Sequence, residues 1–128
     1  MPQLLKENEV SYYLGEKHIY PKVGSGSNAG TSIVEHTASE TTVSIEPNAF
    51  HIWPQMSSLN ITLATPTDNT IVNEYMIEFT SGSTATTLSL PSSVEWAESC
   101  GSLSVEASKT YQISIVNNIG LWAAISNS

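Results

Sequence analysis

Three histidines and one cysteine are the residues of this chain whose chemistry most readily serves catalysis or metal binding. His18, His36 and His51 lie in three separate segments with no HxH or HxxxH spacing, and Cys100 has no second cysteine. A bound metal needs several ligands that converge on one ion, so the sequence predicts no metal site. His51 follows Phe50 in a strand-like run, which favours an ordinary histidine of a sheet.

Catalysis by a nucleophile or by paired carboxylates is also poorly supported. No G-x-S-x-G motif is present to hold a nucleophile on a strained turn. Glu74 with Glu78, or Glu95 with Glu98, could in principle serve a glycosidase. The first pair shares a strand face four residues apart, which is too far for a close dyad, and a solvated face explains both. Glycines within residues 24–30 lack the helix and lysine of a phosphate-binding loop. We expect no catalytic residue, no cofactor and no enzyme.

The three tryptophans point to binding instead. Trp53 and Trp96 are candidates for stacking on a sugar if they are exposed, whereas core packing or a subunit contact is the alternative. Trp122 lies in a run over residues 121–125 that is apolar on both faces of a strand. Such a strand must be covered on both sides, by its own domain or by a neighbouring chain. We therefore predict self-association through Trp122 and Ile125.

The elements that position these residues must fit into one small domain, because the chain has 128 residues. Its formal net charge is -8, with four lysines and twelve acids. Binding to phosphate needs clustered cations, so nucleic acid and anionic membrane surfaces are not expected as partners. The opening residues contain no apolar stretch as long as that of a signal peptide, so none is expected, and no segment is apolar enough to span a membrane. The protein is expected to be soluble in the cytoplasm where it is made.

The chain divides into three predicted parts. Residues 1–22 read as an anchoring hairpin, in which aromatic-rich runs flank a turn that contains Gly15. Residues 23–32 are rich in glycine and serine and predict a flexible linker. Residues 33–128 alternate apolar and polar residues in short segments between turn residues, which predicts a β-sandwich domain.

The pattern of the third part predicts an all-β fold, an antiparallel β-sandwich or jelly roll of about seven to nine strands. Twenty serines and thirteen threonines favour strands and turns over helices. The run over residues 71–80 is apolar on both faces, as in a central strand. We expect one strand to end at Pro54, another over residues 103–107, and a turn at Asn117 and Asn118.

Four stretches resemble a known class of protein. The runs over residues 73–82 (NEYMIEFTSG), 86–96 (TTLSLPSSVEW) and 105–117 (VEASKTYQISIVN) are similar to a β-rich module at the C-termini of virion proteins of tailed bacteriophages and prophages from gut bacteria. The opening run over residues 13–21 (YLGEKHIYP) is similar to a short leader hairpin of the same class. These stretches cover about a third of the chain, and they contain no catalytic motif. The chain has no collagen-like repeat and no coiled-coil stalk, which disfavours a long projecting fibre.

The resemblance implies a non-enzymatic virion structural protein, such as a capsid decoration or auxiliary protein, a head fibre, or a tail or baseplate protein. Its partners would be other virion proteins and further copies of itself, with a homotrimer expected. We predict that Tyr12, Tyr13, Ile19 and Tyr20 dock on the particle, since aromatic anchors dominate interface energetics. The alternative is a carbohydrate-binding receptor module of a tail or head fibre that binds a host surface glycan. The location on the particle stays open.

Overall fold

Residues 31–127 are described by the computed structural model of the protein, and they form nine β-strands and no helix. The strands are β1 (Ser32–Glu35), β2 (Thr42–Ile45), β3 (Ala49–Met56), β4 (Ser58–Leu63), β5 (Glu74–Ser81), β6 (Thr87–Ser89), β7 (Glu95–Trp96), β8 (Lys109–Val116) and β9 (Ile119–Ser126). The predicted all-β class is confirmed for this part of the chain. The predicted hairpin over residues 1–22, and the predicted linker up to residue 30, lie outside the described residues.

The strands form two sheets, and most neighbours are parallel. The larger sheet has the order β1-β3-β5-β8-β9-β7, and the smaller sheet has the order β2-β4-β6. Five of the seven strand pairs are parallel, and only β5 with β8 and β8 with β9 are antiparallel. The prediction of an antiparallel arrangement is therefore wrong for most of the fold.

Four of the five parallel pairs arise because the chain alternates between the sheets. Strands β1, β3 and β5 add in turn to the larger sheet, while β2, β4 and β6 add in turn to the smaller one. Each return brings the next strand alongside its predecessor in the same direction, so that Ile33 pairs with Phe50 and Phe50 with Met76. Alternation of apolar residues within a strand reports burial and not direction, which is why the pattern did not reveal this path.

The antiparallel part is a local hairpin with a recognisable turn. Val116 of β8 pairs with Ile119 of β9, which leaves Asn117 and Asn118 as a two-residue loop. Both asparagines have positive φ, 53° and 64°. Asparagine tolerates this conformation, and two-residue hairpins of the most common type require it at both positions. The predicted turn is confirmed.

Two predicted strand features are wrong. Pro54 does not end its strand, because β3 continues to Met56 after a register shift between Ile52 and Gln55. A proline cannot donate a ladder hydrogen bond, and a bulge is one of the places where a sheet tolerates it. The alternating segment over residues 103–107 forms no strand; Leu103 and Val105 still pack against the core as partly buried side chains.

One hydrophobic core contains side chains from both sheets. Its buried members from the larger sheet are Trp53, Met56, Tyr75, Ile77, Phe79, Tyr111, Ile113 and Ile115, and those from the smaller sheet are Ile45, Leu59 and Ile61. Phe79 and Tyr111 stack there with ring centroids 5.4 Å apart. The buried hydroxyl of Thr86 donates to the carbonyl oxygen of Met56 at 2.6 Å, so this polar group is satisfied.

Candidate functional site

The outward face of β9 is the most exposed apolar surface on a strand of the described residues. Ile119, Leu121 and Ile125 have exposed fractions of 54%, 49% and 68%. They alternate along the strand with Gly120, Trp122 and Ala124, which are buried or partly buried. Because successive side chains of a strand point to opposite faces, the three large exposed residues lie in one row. We call Ile119, Leu121 and Ile125 the β9 stripe.

The edge of the sheet beside this stripe is also open. Strand β7 pairs only with Ile119 and Gly120, so residues 121–126 of β9 have no strand neighbour on that side within residues 31–127. The carbonyl oxygen of Gly120 accepts from the backbone N–H of Ala97 at 2.9 Å. Backbone groups of alternate residues share one side of a strand, so those of Trp122, Ala124 and Ser126 face the same open edge.

No charged side chain lies between residues 117 and 128, although the chain carries a net charge of -8. Charged residues and prolines are the usual means by which proteins protect an edge strand from pairing with another chain. Strand β9 has neither. The β9 stripe and its open edge therefore have the properties of a contact surface.

The structure separates the two residues that were predicted to mediate self-association. Trp122 faces inward: its ring lies 6.0 Å from that of Tyr111, and its Nε1–H donates to the carbonyl oxygen of Gly101 at 3.0 Å. Ile125 faces outward and is exposed. Ile119 and Leu121 were missed by the sequence reasoning. Stepping back along the strand from Ile125 in twos would have found Leu121 and Ile119.

The two candidate sugar platforms differ in exposure. Trp53 is 1% exposed, and its Nε1–H donates to the carbonyl oxygen of Glu40 at 2.9 Å. The prediction that Trp53 forms an exposed platform is wrong, because the residue belongs to the core. Trp96 is partly buried and lines an apolar cleft of about 300 Å³ together with Leu88, Val94 and Leu103.

One face of Trp96 lies close to β9. A Cβ atom added to Gly120 would lie 2.8 Å from the Trp96 ring, a distance that side chains do not adopt. Glycine at position 120 thus allows the indole to pack directly on the backbone of β9. The hydroxyl of Thr86, which lines the same cleft, already donates to the carbonyl oxygen of Met56.

A second cluster joins two histidines that the sequence places in different segments. His36 Nε2 lies 3.0 Å from His51 Nδ1, and the rings stack with centroids 5.3 Å apart. His36 also stacks on Trp53, with a centroid distance of 4.1 Å. Parallel pairing of β1 with β3 places Val34 opposite His51. His36, which directly follows β1, is thereby brought next to β3. The sequence predicted His51 as an ordinary sheet histidine and did not pair it with His36.

The pKa values of two groups in this cluster are shifted. Burial lowers the pKa of His51 below its ordinary value, and the nearby positive charge of His36 acts in the same direction. The backbone N–H of Thr37 donates to Glu40 at 2.6 Å and is the main reason that the pKa of this carboxyl is lowered, with His36 adding to the effect.

Two of the four carboxylates considered for glycoside hydrolysis accept hydrogen bonds from β8. Glu78 accepts from the side-chain amide of Gln112 at 2.9 Å, and Glu74 accepts from the hydroxyl of Ser114. The four predicted docking residues, Tyr12, Tyr13, Ile19 and Tyr20, lie outside the described residues. Within residues 31–127, no three His, Cys, Asp or Glu side chains are grouped to hold a metal, and no helix is long and apolar enough to cross a membrane.

No family model, no curated protein and no solved structure matches this chain.

Proposed function

We propose that this chain is a non-enzymatic structural protein of a bacteriophage virion, of the capsid-decoration, auxiliary or head-fibre type. Its two sheets form a sandwich that self-associates, as a homotrimer, through the β9 stripe. Residues 1–22 dock it on other virion proteins. The observation that carries the proposal is the β9 stripe: a long, uncharged, outward-facing apolar row in a chain of net charge -8.

The charge distribution supports a second copy as the occupant of this stripe. Two copies of a chain with net charge -8 repel each other, and an uncharged contact surface avoids adding close pairs of like charge to this repulsion. Residues 117–128 provide such a surface. Complete burial of an isoleucine or leucine contributes about 1.5–3 kcal/mol. The three stripe residues are 49–68% exposed, so each would contribute part of this range on burial against a second copy.

The phage assignment is supported by the resemblance described above. The similar runs coincide with β5, with the segment containing β6 and β7, and with β8. These strands contribute Phe79 and Tyr111 to the core. The resemblance thus includes residues that build the fold and contains no catalytic motif, which favours an assembly role.

Sedimentation of the full chain tests the self-association. We expect the wild type to form a concentration-dependent oligomer with the mass of a trimer. Ile125→Asp should remain a monomer. Val72→Asp is the matched control, because Val72 is 73% exposed but lies outside the strands. Its oligomer should persist. A wild-type chain that stays monomeric at high concentration, or a Val72→Asp variant that dissociates equally, contradicts the proposal.

Antibody labelling of intact phage particles tests the virion assignment. Labelling spread over the head indicates capsid decoration, and labelling at one vertex indicates a tail or portal location. A chain that lacks residues 1–22 should still fold and self-associate but should not join particles. Particles that carry no label contradict the virion assignment whatever the oligomeric state.

The alternative, a carbohydrate-binding receptor module, is favoured by Trp96 alone. Its indole lines the open cleft, and aromatic faces of this kind stack on sugar rings. A glycan array with the wild type and with Trp96→Ala tests it. Binding that is lost in the variant supports the receptor role, and no binding at millimolar sugar removes it.

A further inference from the structure

The contact between His36 and His51 joins the first strand of the described residues to the body of the larger sheet. His36 follows β1 directly, and its backbone N–H donates to the carbonyl oxygen of Ile52 at 2.8 Å. His51 belongs to β3 and is 5% exposed. The side chain of His36 is 8% exposed. Two imidazoles thus meet out of water, at the place where the chain leaves β1 and enters the loop over residues 36–41.

The hydrogen bonds around the pair determine where its protons lie. His51 Nε2 lies 3.2 Å from the carbonyl oxygen of Glu46, which only accepts, so this nitrogen carries a proton. In the neutral ring His51 Nδ1 is then an acceptor, and His36 Nε2–H donates to it. A further proton on His36 Nδ1 would face Glu40 Oε2, 3.4 Å away. The arrangement accommodates up to one positive charge.

A second positive charge cannot be accommodated. A proton on His51 Nδ1 would place two N–H donors opposite each other at the 3.0 Å contact. The two rings would then repel each other, and neither donor would have an acceptor in this place. Acid therefore converts the contact from a hydrogen bond into a repulsive one.

The surroundings offset only part of this repulsion. The carbonyl oxygen and the charge of Glu46 act to raise the pKa of His51, but they do not relieve the approach of two N–H donors at the 3.0 Å contact. On the side of the smaller sheet, β2, β4 and β6 carry no titratable side chain. Ile77 of β5 pairs with His51 in register and is apolar. The charged groups of the other neighbouring elements are Glu40 in the loop, Glu46 before β3, and Glu35 and Glu78. The last two are in register with Ile52, whose side chain points to the opposite face from that of His51.

We propose that the His36–His51 pair is an acid-sensitive latch, which holds β1 and the loop over residues 36–41 on β3 near neutral pH and releases them when a second proton enters the pair. The released segment is the one that connects residues 1–30 to the rest of the chain. The latch does not depend on the proposed virion role, because it rests only on the contacts of the histidines.

Hydrogen exchange of the full chain tests the latch. Protection of amides in residues 32–41 is compared at about pH 7.5 and about pH 5.5, on either side of the ordinary histidine pKa, after correction for intrinsic exchange rates. Residues 109–116 of β8 serve as the internal reference. In the wild type, acid should lower the protection of residues 32–41 roughly tenfold more than that of the reference.

Two variants make the result specific. His36→Gln keeps a donor that can reach His51 but cannot become charged, so acid should lower its protection of residues 32–41 clearly less than in the wild type, whatever its level near neutrality. His18→Gln removes the histidine outside the pair and should behave as the wild type. The latch is wrong if acid changes residues 32–41 and 109–116 equally in the wild type, or if His36→Gln shows the same acid-dependent loss.

Discussion

Strand β9 and the histidine pair between β1 and β3 differ in which kind of side chain is buried. Along β9, the large apolar side chains Leu121 and Ile125 remain exposed at 49% and 68%. At the other edge region of the same sheet, His51 is 5% exposed and makes hydrogen bonds only within the chain. Apolar surface left in water favours contact with another chain, whereas buried titratable groups make a contact depend on pH.

The difference indicates that the inner and outer faces of the larger sheet contribute unequally to the stability of the fold. The inner face is filled by the core and tolerates little change. The outer row of β9 is exposed, so it is expected to contribute little to folding. Substitutions on the two faces should therefore have very different effects on the free energy of unfolding.

The largest effect is expected for Trp53→Ala. Trp53 is 1% exposed and supports the ring of His36, so its loss leaves a cavity and removes the platform of the pair. Urea unfolding should show a loss of about 3–5 kcal/mol. Trp96→Ala, at a partly buried indole, should cost clearly less; an equal loss would mean that the two positions pack alike.

A smaller effect is expected for Gly120→Ala on the inner face of β9. The new methyl group would lie 2.8 Å from the Trp96 ring, so the indole must move. Overpacking of this kind costs about 1–3 kcal/mol in urea unfolding. Ser126→Ala on the same strand is exposed and should change stability little. A neutral Gly120→Ala would show that Trp96 is free to shift into the cleft.

Acid should destabilise the wild type before its carboxylates titrate. The pKa of His51 in the folded chain is lowered by burial, so the unfolded chain binds the proton more strongly. Stability is therefore complete above the ordinary histidine value of 6.5 and falls as the pH drops through the lowered folded value. Unfolding curves between about pH 7.5 and 5.5 measure this fall, and His51→Asn should flatten it. An unchanged slope in His51→Asn would assign the fall to other groups.

The smallest effect is expected for Ile125→Ser on the outer face. The side chain is 68% exposed, so the free energy of unfolding at concentrations below self-association should change by about 0.5 kcal/mol or less. The same substitution should weaken the oligomer. A loss of stability comparable to that of Gly120→Ala would mean that the outer row also supports the fold.

Local features of the fold could be predicted from the sequence. Asn117 and Asn118 predicted the β8–β9 turn because asparagine tolerates the positive φ that such a turn needs. Alternation located β4 and β8, since every second residue of these strands is buried. Pro54 was misjudged because a bulge in β3 accommodates it, and residues 103–107 because packing without strand pairing also produces alternation.

The candidate sites were harder to predict from the sequence than the local features of the fold. Ile125 was predicted as a contact residue because a strand that is apolar on both faces must be covered on both sides. To predict Ile119 and Leu121 as well, one must know which face of the strand points outward. The outward face follows from the position of Trp122, whose indole reaches Gly101 on the inner side. The contact of His36 with His51 could not be found at all, because fifteen residues separate them and no spacing rule connects them.

The sequence by itself determined the β class, the turn at 117–118 and the uncharged character of residues 117–128, because these depend on residue type and near neighbours. The tertiary structure alone decided that strands pair in parallel, that His36 meets His51, and which face of β9 is left in water. The reason is that parallel pairing joins segments distant along the chain, and its register is set by the packing of the whole core rather than by any local preference.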